Sequence, residues 1–146
     1  MDGGDVPRQA LELELPVAVA SVEQARLAVH RWLGDETLSA HVLTTLELVI
    51  EEVVMNLVLH AFDDARGQHF RLMVQALGDE LRLDFEDEGR DFDPTATPSV
   101  RAAVSREEAR PGGLGLRLLH KRARWMRHSR CDGRNRLSIA IALGSA

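Results

Sequence analysis

Three groups of residues have types and spacings that could do chemistry. Glu52, Asn56 and His60 stand four residues apart, a spacing that places them on one face of a helix. A carboxylate and a carboxamide on such a face can activate a hydroxyl or hold a hard cation. A solvated helix face shows the same spacing, and for an isolated stripe that is the commoner case. Asp87-Glu88-Gly89 follows an apolar alternation. An aspartate at a strand end can accept a hydrogen bond from a ligand amine, and the glycine after it lets a ligand approach the backbone. Asp-x-Gly is also an ordinary turn. Gly112-Gly113-Leu114-Gly115 opens a helical pattern. A helix N-terminus presents unpaired N–H groups and the positive end of the dipole, which favours phosphate. Glycines are costly at a helix start unless close backbone approach is needed; a hinge is the competing explanation.

The elements that must position these groups follow from periodicity. Leu11, Leu13 and Leu15 alternate with Glu12 and Glu14 until Pro16, which predicts a short strand with one buried face. Val22, Ala25, Leu27, Val29 and Leu33 predict an amphipathic helix, capped by Ser21 and ended by Gly34. Ser39 to Ala61 reads as the longest and most central helix, with Leu43, Leu46, Ile50, Val54 and Leu57 on its apolar face. Phe70, Leu72, Val74 and Ala76, then Leu81, Leu83 and Phe85, alternate around Gly78-Asp79 as a hairpin. Residues 90–112 hold Pro94, Pro98 and Pro111 and no strand pattern, which suits a lid or binding loop; Ser105 to Glu108 could form a helical turn within it. Gly113 to His128 reads as a helix with Arg117, Lys121, Arg124 and His128 on its outer stripe. Two strands, about 127–132 and 136–143, close the chain around an Asp132–Asn135 turn. The expected fold is an α+β two-layer sandwich, with a mixed, mostly antiparallel sheet covered on one face by about three helices.

The three groups, in this order, carry a family resemblance. Residues 51–62 (EEVVMNLVLHAF), 87–94 (DEGRDFDP) and 112–119 (GGLGLRLL) resemble the N, G1 and G2 boxes of the GHKL ATPase superfamily, which includes gyrase, Hsp90, histidine kinases and MutL. Within it the chain is most similar to the small bacterial anti-sigma-factor serine kinases, from about residue 10 to 143; the closing DGRNRLS segment, 132–138, also fits. The resemblance implies a Bergerat-type ATP-binding fold and the cofactors ATP and Mg²⁺. It implies that Asn56 coordinates Mg²⁺ and that Glu52 is the general base for an attacking serine hydroxyl. It implies that Asp87 binds the exocyclic amine of adenine and that Gly89 admits the purine. Gly113, Leu114 and Gly115 would wrap the phosphates, and 90–112 would be the ATP lid. The implied partners are a STAS-type anti-anti-sigma protein, phosphorylated on serine, and a sigma factor; family members often form homodimers. Three positions depart from the pattern: Asp91 replaces the second glycine of the G1 box, Pro111 the leading glycine of the G2 box, and Met55 precedes Asn56. An ATP-gated binding module without catalysis is therefore the alternative. A detached histidine-kinase domain fits less well, because no phosphoacceptor helix pair precedes residue 10.

Composition bounds the rest. The chain has 146 residues and a net charge of −5, the size of one domain, with residues 1–9 expected to be flexible. The single Cys131 excludes a disulfide framework and a cysteine-rich zinc site. No apolar run reaches the roughly 20 residues of a membrane span, and the acidic N-terminus lacks a hydrophobic signal core. A cytoplasmic protein without membrane contact is expected. No G-x-x-x-x-G-K-[ST] string occurs. Charge is unevenly placed: residues 110–146 carry +8 and residues 1–109 carry −13. The acids gather between Asp79 and Asp93, on the segment expected to cradle adenine. The basic run Lys121–Arg127 could suggest nucleic acid, but its apolar spacing reads as a packed helix, and the acidic remainder would repel phosphates. No direct nucleic-acid binding is expected; a basic face also suits an acidic protein partner.

Overall fold

A computed structural model describes residues 9–34, 38–95 and 111–144, with the side chains of 111–114 excepted. Its elements in chain order are β1 (Leu11–Pro16), α1 (Ala20–Leu33), α2 (Ala40–Asn56), a π-helical turn (Leu57–Ala61), β2 (His69–Leu77), β3 (Glu80–Asp87), α3 (Pro111–Arg122), β4 (Trp125–Cys131) and β5 (Arg134–Ala142). The strands form one sheet in the order β1-β2-β3-β5-β4. Every pairing is antiparallel, so the sheet is not mixed.

Strand alternation decides which face the helices cover. Phe70, Leu72 and Val74 of β2, Leu81, Leu83 and Phe85 of β3, and Leu137, Ile139 and Ile141 of β5 are buried. Register stacks them across the sheet: Leu72 opposes Phe85, which opposes Leu137, and Val74 opposes Leu83, which opposes Ile139. Ala25, Val29 and Leu33 of α1, Leu46, Val49, Ile50, Val53 and Val54 of α2, and Leu119 of α3 complete one continuous core. Ser39 caps α2 by accepting a hydrogen bond from the Val42 N–H at 3.1 Å.

The other face is polar. Glu14 opposes Arg71, Arg71 opposes Glu86, and Glu86 opposes Arg136. Asp84 lies on this face yet is only 3% exposed. Ser138 donates to it, and Arg82 and Arg136 lie 3.5 and 3.7 Å from its oxygens. Arginine stems laid along a sheet can bury a carboxylate in this way.

Several expectations change. The helix expected to run to His128 ends at Arg122, and β4 begins at Trp125. The Arg124 N–H pairs with the Ala140 carbonyl at 2.7 Å, so β5 captures the segment as an edge strand despite its helical spacing. Arg124 and His128 therefore leave the expected helical stripe. Trp125 is held between Arg82 and Arg127, whose guanidinium carbons lie 5.3 and 4.6 Å from its ring centroid. β5 starts at Arg134, inside the expected turn. Ser21 does not cap α1; Val19 holds the N-cap position and the Ser21 hydroxyl donates to the Pro16 carbonyl. The expected flexible N-terminus up to residue 8, the 105–108 turn and most of the 90–112 lid lie outside the described residues.

Candidate functional site

The site is built where the end of α2, the end of β3 and the start of α3 converge. Glu52 and Asn56 are one turn apart on α2. Asn56 is 8% exposed. Among the described residues, Glu52 Oε1 and Asn56 Nδ2 are buried with no hydrogen-bond partner. Leaving a buried polar group unpaired costs about 1–3 kcal/mol, so two such groups on adjacent turns mark a place shaped for something other than core packing. Burial pushes the Glu52 carboxyl above its ordinary value, and the Glu51 charge adds to the rise. A carboxylate so shifted is a better proton acceptor.

Gly115 lies directly over Glu52. A Cβ built on Gly115 would fall 1.9 Å from the Glu52 carboxyl carbon and 2.1 and 2.3 Å from its oxygens. Only a glycine permits this contact. Gly113 and Leu114 lie in the first turn of α3, next to this contact in sequence.

At Asn56 the helix ladder changes. The turn Leu57–Ala61 is π-helical, a widening often found at functional positions. It frees the Ala61 carbonyl, which accepts the Arg90 N–H at 2.9 Å. Gly89 nests against the same residue: a Cβ there would lie 2.6 Å from the Ala61 oxygen and 2.7 Å from its Cβ. Gly89 thus serves close approach between β3's exit and α2's end. His60, the third member of the stripe, contacts the Phe92 ring at a centroid distance of 6.3 Å.

Asp87 ends β3 and is 9% exposed. Its Oδ1 accepts the Gly89 N–H at 2.8 Å and the Asn135 side-chain amide at 3.1 Å. Asn135 sits opposite Asp87 in the β3–β5 register and is 5% exposed. Asp87 and Asn56 line one cavity together with Val53, Phe92, His128 and Asn135. The structure therefore brings Glu52, Asn56, Asp87, Gly89 and Gly115 to one region from three separated stretches of chain. Asn135 and Phe92 are cavity residues the sequence reading did not single out, and His128, expected on the outer stripe of a helix, lines the cavity from β4. Counting back by two from the inward Leu137 would have turned Asn135 inward.

Asp93 follows this cavity in the chain. Burial raises its carboxyl, but the Thr95 hydroxyl and N–H, with His128 and His120 nearby, outweigh that and hold it below the usual range. Asp91 is exposed. The remaining acids of the run disperse: Asp79 and Glu80 pair with Arg124, and Asp84 lies on the opposite sheet face. The expected acidic adenine cradle reduces to Asp87.

No helix among the described residues is long and apolar enough to cross a membrane. The described residues contain no cluster of three or more His, Cys, Asp or Glu suited to a metal ion, so any metal here would need ligands beyond such a set.

The chain has relatives among known proteins. The histidine kinase-like ATPase domain family matches residues 15–141. The serine/threonine-protein kinase BtrW of Bordetella bronchiseptica is 32% identical over 127 residues, covering 87% of this chain and 89% of BtrW. Among solved structures, the RsbU and RsbW domains of a Mycobacterium tuberculosis protein superpose with a TM-score of 0.64 at 16% identity, over 96% of this chain. The chain spans about a third, 34%, of that longer protein. The histidine kinase domain of a blue-light activated kinase from Erythrobacter litoralis gives a TM-score of 0.55 at 20% identity, over 88% of this chain and 61% of that one. These two structures share the sheet and helix layers. The match across most of the chain, together with the BtrW relationship, settles the kinship: the chain belongs to the histidine kinase-like ATPase domain family.

Proposed function

We propose that the protein is an ATP-dependent serine protein kinase of the anti-sigma-factor type, which phosphorylates a STAS-type anti-anti-sigma partner and sequesters a sigma factor. The observation that carries the reading is the pair of buried, unpartnered polar atoms on Glu52 and Asn56 under the glycine of α3. The family match and the relationship to a named serine/threonine kinase support it.

In this reading Asp87 Oδ2 accepts the adenine amine while Oδ1 stays anchored by Gly89 and Asn135. Gly89 keeps the purine-binding strand close to α2. Asn56 would hold Mg²⁺ through its carboxamide oxygen, and the ion would supply charge neutralisation for the phosphates. Few protein ligands are needed, because Mg²⁺ keeps waters and phosphate oxygens. Gly113, Leu114 and Gly115 supply backbone N–H groups at the start of α3. Glu52 takes the proton from the serine hydroxyl as its oxygen bonds the γ-phosphorus; the bond from that phosphorus to the β–γ bridging oxygen breaks and ADP leaves. Phosphoryl transfer rests on such positioning more than on covalent chemistry by the protein.

Calorimetric titration with Mg·ATP is the direct test. The wild type should bind, and Asn56→Ala should bind at least tenfold more weakly. Incubation with γ-labelled ATP and a STAS-domain protein should label a serine, and Glu52→Gln should abolish labelling while sparing ATP binding. Binding without labelling of any STAS partner would favour the ATP-gated module instead. Absence of binding at millimolar ATP would sink both.

A further inference from the structure

Behind Asp87 stands a layer of side chains that the nucleotide roles above do not use. The Asn135 amide nitrogen donates toward three oxygens: Asp87 Oδ1 at 3.1 Å, the Gly89 carbonyl at 3.3 Å and the Arg90 carbonyl at 2.8 Å. Its Oδ1 faces two nitrogens, His128 Nε2 at 3.1 Å and an Arg130 guanidinium nitrogen at 3.0 Å. Turning this amide over would set a carbonyl oxygen against three oxygens and an NH₂ against a guanidinium. The five contacts therefore fix its orientation, and with it the nitrogen of His128 that must carry a proton, Nε2. Arg130 also donates to the Gly89 carbonyl at 3.0 Å. The His128 side chain is largely buried, and its other nitrogen, Nδ1, lies 3.9 Å from Asp93 Oδ1.

We propose that His128 is a positioning residue for base recognition: with Arg130 it locks the Asn135 amide, which holds Asp87 and the 89–90 backbone in the geometry that reads the purine amine. The inference rests on the nucleotide-binding reading above. His128 and Arg130 lie on β4, an edge strand; they share the Asn135 oxygen, and Arg130 also holds the Gly89 carbonyl directly. Their effect is on which base is preferred, because a misaligned Asp87 no longer rewards an amine over a carbonyl. A buried hydrogen bond that discriminates between the two is worth about tenfold or more in affinity.

The experiment measures Kd for Mg·ATP and Mg·GTP by calorimetry, with a thermal melt of each protein. The wild type should prefer ATP. His128→Leu, which removes the donor to Asn135, should lower the ATP-to-GTP preference about tenfold, chiefly by weakening ATP. His128→Gln places an N–H where Nε2 stands and should keep the preference within about twofold of wild type, a rescue that a merely space-filling role would not give. Should His128→Leu fail to fold, Arg130→Leu, which removes the other donor to the same oxygen, should shift the preference in the same direction. A folded His128→Leu protein with wild-type preference would overturn the inference while leaving the nucleotide reading intact. Equal loss in the Gln and Leu variants would also overturn it. A wild type that binds no nucleotide would overturn both.

Discussion

Gly115→Ala separates the stability of the site from its chemistry. The added methyl carbon would sit 1.9 Å from the Glu52 carboxyl carbon, where non-bonded carbons rest at about 3.5–4.0 Å. Something must therefore move by roughly 1.5–2 Å. The Gly115 backbone belongs to α3 and is buried, whereas the obstacle is the far end of a side chain with three rotatable bonds. Glu52 gives way, and its carboxylate swings out from under the helix. In stability, the rearrangement costs about 1–3 kcal/mol for overpacking, offset by about 1 kcal/mol from replacing glycine with alanine inside a helix. The swing also relieves the burial of a charge. The net change should lie within about 2 kcal/mol. Chemistry is less tolerant: displacing a reacting group by about 1 Å costs on the order of 100-fold. The variant should fold, losing no more than about 2 kcal/mol by urea unfolding, and transfer phosphate at least about 100-fold more slowly in a single-turnover assay at saturating Mg·ATP. Transfer within threefold of wild type, in a folded protein, would refute the placement of Gly115 against the base.

Glu52→Gln should raise or preserve the melting temperature at pH 7 while removing transfer. The Glu52 carboxyl is pushed up by burial, so the folded state favours its neutral form, and stability contributed by that form is present at low pH and lost as pH rises through the folded value. A stability gain from the variant should accordingly grow with pH between 4 and 8 in thermal melts; a loss growing with pH would contradict the assigned direction. In Asp87→Asn, the carboxamide oxygen should take over the Gly89 and Asn135 hydrogen bonds and leave an NH₂ where the adenine amine docks. ATP affinity should fall at least tenfold by calorimetry while the fold survives. Asp84→Ala breaks the buried carboxylate with Ser138, Arg82 and Arg136 on the far face of the sheet. Because those arginines are partly exposed and can rehydrate, the loss should be about 1–3 kcal/mol by urea unfolding, with ATP affinity unchanged.

Periodicity made most of the fold legible. The 70–76 and 81–85 alternations became β2 and β3, and the Ser39 start of α2 is the observed cap. Residues whose roles depend on local spacing, Glu52 and Asn56, were therefore placed on their helix face. Three things escaped for physical reasons. Leu114, Leu118, Leu119, Ala123 and Met126 satisfy helical spacing past Arg122, with no glycine or proline to stop it; the stop comes from hydrogen bonding to β5, a tertiary effect that outweighs weak propensity. Asn135 was hidden because β-sheet register is set by a partner strand 48 residues away, and it reads as a turn residue until Leu137 fixes the parity of β5. The π-turn after Asn56 has no local signature at all, and the contact at its end, the Ala61 carbonyl with the Arg90 N–H, is tertiary.

The charge pattern shows how strand parity turns one sequence cluster into several structural ones. Acids from Asp79 to Asp93 are contiguous in the chain and suggest one negative surface. Along β3, however, neighbours point to opposite faces. Leu81, Leu83, Phe85 and Asp87 face the helices; Arg82, Asp84 and Glu86 face away, against Arg71 and Arg136. Asp79 and Glu80, at the hairpin end, hold Arg124 at the entry to β4. A nucleotide's phosphates would be repelled by eight clustered carboxylates. Alternation leaves one of them, Asp87, on the covered face at the strand's end, where Phe85 and Leu137 line the same cavity; under the proposed reading its carboxylate is the group that reads the base. Of the others, Asp79, Glu80, Asp84, Glu86 and Glu88 lie beside arginines away from the cavity, while Asp93 faces His128 and Asp91 is exposed. The period of two that built the core therefore also isolates a single carboxylate at the cavity, and a one-residue slip of β3 would put Glu86 or Glu88 there and turn Asp87 to the other face.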